Sequence, residues 1–155
     1  MRYWIVCITV ALLCSAIPQT LPAGDYDGAK PLLFSLISLN ECTLDGACHQ
    51  VQPEDAGLPR FMRIDFDRQQ IFELPEVPEV PPSTIEHMEV VDGKMMLQGS
   101  EDGRQDLRDG FGWTFAISLE TGKTVLSGSG DGFGLVGFGA CLPLSSSTLS
   151  SEEGQ

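Results

Sequence analysis

The stretch Ile85-Glu86-His87-Met88-Glu89-Val90-Val91-Asp92-Gly93-Lys94-Met95-Met96-Leu97-Gln98-Gly99 sets two strand-length segments on either side of Asp92-Gly93. Asp-Gly supplies the positive φ angles that a two-residue hairpin turn requires, so Ile85–Val91 and Lys94–Gly99 read as paired antiparallel strands. Downstream, the polar residues 100–109 read as a loop. Trp113, Phe115, Ile117 and Leu119 then alternate with Thr114, Ala116 and Ser118, the period-two pattern of a half-buried strand. Glu120-Thr121-Gly122 makes a tight connection to a strand at Lys123–Ser127, with Gly122 suited to the left-handed position of a hairpin bulge. Residues 127–132 are expected to turn again, leaving Phe133–Cys141 as the last strand.

Upstream of the hairpin the same chemistry recurs. Leu32–Leu39 is an apolar run of strand length, and Phe61–Phe66 alternates Met62, Ile64 and Phe66 with Phe61, Arg63 and Asp65. Asp67 and Arg68 turn the chain into a returning strand, Gln70–Leu74. Four prolines among residues 75–82 forbid both a helix and a central strand, which predicts an extended, polyproline-type connector. With no helical periodicity anywhere, the pattern predicts an all-β chain, an antiparallel meander of about eight strands forming a small barrel or a sandwich.

The first residues have a different character. Arg2 precedes an uncharged run, Tyr3–Leu13, followed by the small residues Cys14, Ser15 and Ala16, and Pro18 stops the run well short of the ~20 apolar residues of a membrane span. Residues 1–23 read as a secretory signal with cleavage after Ala16 or Ala23, residues 24–143 as a single β domain, and residues 144–155 as a disordered tail rich in serine and ending in acids. The expected location is secreted or periplasmic, without stable membrane insertion. Removal of the signal leaves eight Lys and Arg against 22 Asp and Glu, a net charge of −14. Scattered cations in so acidic a chain argue against nucleic acid as a partner. In an oxidising compartment Cys42, Cys48 and Cys141 allow one disulfide. Cys42–Cys48 is the simplest to close, across the turn Leu44-Asp45-Gly46, whereas a bridge from either to Cys141 would tie the first strand to the last.

One internal echo stands out. Asp109-Gly110-Phe111-Gly112-Trp113 recurs as Asp131-Gly132-Phe133-Gly134-Leu135, placing glycines around an aromatic residue at the start of a strand. Such glycines suit a sharp corner or bulge, with a repeated ligand loop as the alternative. The segments Pro59-Arg60-Phe61-Met62-Arg63-Ile64-Asp65-Phe66, Leu97-Gln98-Gly99, Gly112-Trp113 with Thr121-Gly122, and Phe138-Gly139-Ala140-Cys141 resemble a group of small, uncharacterised exported bacterial proteins. That resemblance implies a compact β-rich domain and brings no catalytic residue with it. A weaker one is to periplasmic lysozyme inhibitors, acidic disulfide-linked barrels whose inhibitory loop carries a serine-glycine-x-arginine-tyrosine type of motif. Here Ser127-Gly128 is followed by Ser129-Gly130-Asp131.

Familiar catalytic and metal motifs fail on spacing. Thr121-Gly122-Lys123-Thr124 mimics the end of a phosphate loop, but Ile117 stands where a glycine is required and a strand follows instead of a helix. Asp25, Asp27 and Gly28 start like a calcium loop whose closing acid would fall on Leu36. Glu101, Asp102, Asp106 and Asp109 have oxygen donors in no recognised frame, and the Cys42, Cys48, His49 spacing is not a zinc pattern. No metal or cofactor is expected. The candidate ligand contacts are Trp113, Phe133, Phe138 and His87, the last reading more naturally as a packed or rim histidine than as a base. A noncatalytic binding or inhibitory module is the expectation, its partner a small apolar ligand or a basic envelope protein such as a muramidase. A small hydrolase of an envelope polymer, using a pair of acids or His87, is the alternative.

Overall fold

The computed structural model describes residues 25–103 and 109–145, so the signal reading of residues 1–23 and most of the tail lie outside the described residues. The chain is all-β, 59% strand, and forms one antiparallel sheet curled into a half-barrel. Its strands are β1 (Leu32–Thr43), β2 (Cys48–Val51), β3 (Phe61–Asp65), β4 (Gln70–Leu74), β5 (Ser83–Thr84), β6 (His87–Val91), β7 (Lys94–Glu101), β8 (Phe111–Ser118), β9 (Lys123–Gly130) and β10 (Phe133–Pro143). The order across the sheet is β5-β4-β3-β1-β10-β9-β8-β7-β6, with β2 paired to β1 alone. This is an up-and-down meander in which the first strand returns to pair with the last, Leu32 opposite Pro143 through Thr43 opposite Phe133.

The two edge strands, β5 and β6, are consecutive in the chain. Thr84 pairs with Gln70 of β4, the Ile85 N–H donates to Gln69 O (2.8 Å), the Glu86 N–H donates to Gln98 O of β7 (2.9 Å), and His87 pairs with Gln98. One continuous segment therefore changes partners and spans the open side of the half-barrel, leaving less unpaired edge. This partner change also splits the expected strand Ile85–Val91: Ile85 is buried while His87 and Val91 are exposed, so the three do not share one buried face.

Alternation sorts the side chains. Leu32, Phe34, Leu36, Met62, Ile64, Met95, Leu97, Phe115, Ile117 and Leu126 fill the interior. At one end of the strands Tyr26 and Phe66 close this core, with the Phe66 ring and the Met95 methyl packed about Gly28. At ~25 cal/mol per Å² of apolar surface removed from water, each fully buried Leu, Ile or Phe contributes about 1.5–3 kcal/mol, which makes this interior the main source of stability.

The expected antiparallel meander is present, with nine strands along its path and β2 beside it where about eight were expected, because β2 is too short and polar to show periodicity and the Ser83–Val91 segment divides. Two expectations need correction. Residues 127–130 are not a turn: Ser127-Gly128-Ser129-Gly130 continue β9, and the turn is confined to Asp131-Gly132. The glycines are strand residues because rings occupy the space their side chains would take. A Cβ on Gly128 would lie 2.1 Å from the Phe111 ring, one on Gly130 2.5 Å from the Phe133 ring, and one on Gly99 2.3 Å from the Trp113 indole. The residue 75–82 connector is likewise not extended throughout, since the Val80 N–H donates to Val77 O (2.9 Å) and closes a turn.

Cys42 and Cys48 face each other across β1 and β2 and are joined, with an S–S distance of 2.02 Å. The Asp45 carboxylate accepts from the Thr43 hydroxyl (2.5 Å) and the Ala47 N–H (3.1 Å), and these bonds hold its pKa below the usual 3.8. Cys141 is free and buried against the Thr124 hydroxyl (3.3 Å), and burial pushes its thiol up to about 11.

Peptide mapping should find Cys42 linked to Cys48. Cys141 should resist iodoacetamide at neutral pH until denaturant is added, because little reactive thiolate forms and the sulfur is enclosed; rapid native alkylation of Cys141 would contradict this packing. A second expectation concerns Gly99→Ala, whose added methyl meets both the indole and the Thr84 carbonyl oxygen (2.4 Å). Urea unfolding should show a loss of about 1–3 kcal/mol, the usual cost of overpacking a filled site.

Candidate functional site

Register fixes the site. Trp113 and Leu135 both lie opposite Gly128, and Gly112 and Gly134 both lie opposite Ser129, so the two copies of the sequence echo flank β9 in the same register. Glycines on β9 give the aromatics of both copies room to lie inward. Phe111 and Phe133 stack with centroids 6.1 Å apart and planes 18° apart, while Trp113 meets Phe115 edge-on (5.7 Å, 84°) and Phe115 meets Phe34 (5.1 Å, 82°). Each such pair adds about 0.5–1.5 kcal/mol beyond its burial.

The aromatic ladder fills the barrel at the Phe34 end and leaves it unfilled toward Phe111 and Phe133. A cavity of about 730 Å³ opens there, walled by Met62, Ile71, Trp113, Phe115, Leu126 and Leu135. Two breaks in the wall shape it. β2 leaves β1 and β3 takes its place beside that strand, and the intervening 3-10 turn, Pro53–Ala56, leads into Gly57, Leu58 and Pro59 at the cavity. The proline-rich connector crosses the other side and contributes Val77, Pro78, Val80, Pro81 and Pro82.

An ionic anchor holds the connector. Arg63 is largely enclosed, its side chain 12% exposed; it bonds Glu76 (2.6 Å) and Asp65 (3.3 Å), and its guanidinium sits 4.2 Å from the centre of the Phe72 ring. Asp65, buried, also accepts from the Arg68 N–H (3.0 Å). Arg60 grips Glu54 through two 2.9 Å bonds at the 3-10 turn and keeps the Glu54 pKa below the usual glutamate value.

Two polar features mark the cavity. Glu73, Glu76 and Glu101 border it, Glu73 sharing the inner face of β4 with Ile71 and Glu101 bonded by the Ser83 hydroxyl. The Trp113 Nε1 is buried with no hydrogen-bond partner. An unsatisfied buried donor costs about 1–3 kcal/mol.

Of the four residues expected to touch a ligand, Trp113 and Phe133 line the cavity together. Phe138 lies on the outer face of β10, 48% exposed, because it alternates with the inward Gly137 and Gly139; His87 is exposed on edge strand β6. Met62, Leu126, Leu135 and the connector were not singled out by sequence. The echo was the signal that could have found Leu135, since it occupies the position of Trp113 in the second copy. Among the described residues, no group of three or more His, Cys, Asp or Glu side chains is placed to hold a metal ion. Of the possible acid cluster at residues 101–109, Asp106 lies outside the described residues. No family model, curated protein or solved structure matches the chain.

Cutting the Glu76–Arg63 bond should free the connector without opening the core. In Glu76→Ala, a glutamate-specific protease is expected to cleave after Glu79 several-fold faster than in the parent, with little change in thermal midpoint. Equal cleavage rates would show that the bond does not hold the connector in place.

Proposed function

We propose that the chain is an exported binding module that holds a small apolar molecule in the half-barrel and does not act on it chemically. The observation that carries this reading is the roughly 730 Å³ cavity whose aromatic and aliphatic wall contains one buried, unpartnered donor, the Trp113 Nε1. Ligand pockets are commonly about 300–1,000 Å³, mostly apolar, with a few polar groups to set orientation. A ligand carrying an oxygen acceptor in its apolar body would satisfy the indole N–H after a small adjustment of the ring. Carboxylates at the border disfavour an anionic head group, so the preferred ligand is neutral or cationic.

Export is supported by the leader-like N-terminus of the sequence. The Cys42–Cys48 disulfide is compatible with it, as is the lack, among the described residues, of any helix long and apolar enough to cross a membrane. The Ser127–Gly130 stretch, compared above with an inhibitory loop, lies within β9 with its glycines under aromatic rings, so nothing in its geometry favours the muramidase reading.

N-phenyl-1-naphthylamine, a neutral apolar fluorophore, tests the proposal. Its emission should rise on titration with a Kd in the micromolar range, and Leu135→Phe, which adds a ring to the cavity wall, should weaken binding at least five-fold. The anionic 1-anilinonaphthalene-8-sulfonate should bind several-fold more weakly than the neutral dye. No emission change, or binding indifferent to Leu135→Phe, would overturn the reading.

A further inference from the structure

The acids among the described residues are distributed unevenly over the sheet. Strand register places Lys94, Met96, Gln98 and Ser100 of β7 on the outer face, with Thr114, Ala116 and Ser118 of β8, and Lys123, Val125, Ser127 and Ser129 of β9. Val136, Phe138, Ala140 and Leu142 of β10 continue it, joined by Ile37 at the β1 bulge. Among the described residues these five strands place no acid of their own on this face; carboxylates approach it only at the β7 edge, where Glu86 accepts from the Ser100 hydroxyl (2.5 Å) and Glu89 of β6 pairs with Met96. Among the described cations, Lys30, Arg60, Arg63 and Arg68 are in ion pairs, whereas Lys94 and Lys123, both on this face, are not. Its apolar residues are well exposed, Ile37 at 68%, Leu142 at 61% and Phe138 at 48%.

We infer that this outer face of β7, β8, β9, β10 and β1 docks against the same face of a second copy of the chain, the two sheets packed antiparallel about a two-fold axis at β9. The charge pattern along the strands selects this occupant. β9 starts at Lys123 and runs straight into Asp131; β7 starts at Lys94 and runs straight into Asp102. Between the cation and the acid lie about 26 Å of strand without an outward acid, at ~3.3 Å per residue. A two-fold axis reverses one copy and sets Lys123 of each over Asp131 of the other, so the ends complement twice while Ser127 and Val136 lie at the axis and Val125 and Phe138 flank it.

Away from this face the described residues carry many more acids than bases, so contact between copies through the acid-rich loops would bring like charges together. The face measures about 20 Å across five strands and about 25 Å along them, roughly 500 Å² from each copy, the scale of a weak, concentration-dependent interface.

Sedimentation velocity on the full chain at 1–100 μM, about the range where interfaces of this size associate, tests the inference. The parent chain should sediment as a dimer at the upper concentrations. Phe138→Glu, at an exposed position that should leave the circular dichroism unchanged, should be monomeric throughout. Lys123→Glu should weaken the dimer at least ten-fold, and combining it with Asp131→Lys should restore association, because each copy then carries the reversed pair. A parent chain that stays monomeric at the highest concentration, or a dimer indifferent to Phe138→Glu, or a double variant no better than Lys123→Glu, would overturn it.

Discussion

The indole of Trp113 lies where a side chain at residue 99 would be, and much of the interior depends on that substitution of ring for side chain. The same exchange recurs along the inner wall: Phe111 over Gly128, Phe133 over Gly130, the Leu36 side chain beside Gly137 and the Phe34 ring beside Gly139. A curled sheet has limited interior volume, so large side chains from every strand cannot all point inward. Glycines placed opposite aromatics resolve the conflict. Each glycine removes one side chain and each ring covers the backbone thus bared, keeping water from the strand hydrogen bonds.

That exchange also explains why the interior is full at one end and open at the other. Near Leu32, Ile64, Met95 and Ile117 the interior is filled by these aliphatic groups with Cys141 and Thr124, and Tyr26 and Phe66 close the end. Toward Phe111 and Phe133 the β9 wall is glycine, β3 no longer pairs with β1 and only the short β2 takes its place, and the covering material is a proline-rich connector. The connector depends on the Arg63–Glu76 bond, and Arg63 in turn on the buried Asp65. A chain of ion pairs thus runs from the buried Asp65 of β3 through Arg63 to Glu76 in the connector over the cavity.

Much of this was legible in sequence because the local rules and the global fold agree. Asp92-Gly93 adopts positive φ at both residues, 46° and 72°, as its hairpin turn demands. The inward set Trp113, Phe115, Ile117 follows from alternation alone, and Cys42–Cys48 from a short loop that returns the chain on itself. One misreading is instructive. Ser127-Gly128-Ser129-Gly130 has the composition of a turn, and only knowledge of which rings lie across it identifies a strand. The cavity shares that origin, since Phe133 could be placed near a ligand by its echo, whereas Phe138, three residues from Leu135 in sequence, has the opposite parity. The acid-free outer face was hidden for a similar reason: net charge is a sum, and only strand register shows which side of the sheet the acids avoid.

The central claim is that one end of the interior is packed and the other is an apolar cavity bounded by the Trp113 ladder. Methyl NMR under xenon pressure tests it most directly, because xenon enters only apolar space large enough to receive it. The methyl signals of Met62, Leu126 and Leu135 should shift progressively with xenon, while those of Leu32, Ile64 and Ile117 should not. Xenon shifts absent from the first group, or equal in the two groups, would contradict the division of the half-barrel into a filled end and a binding end.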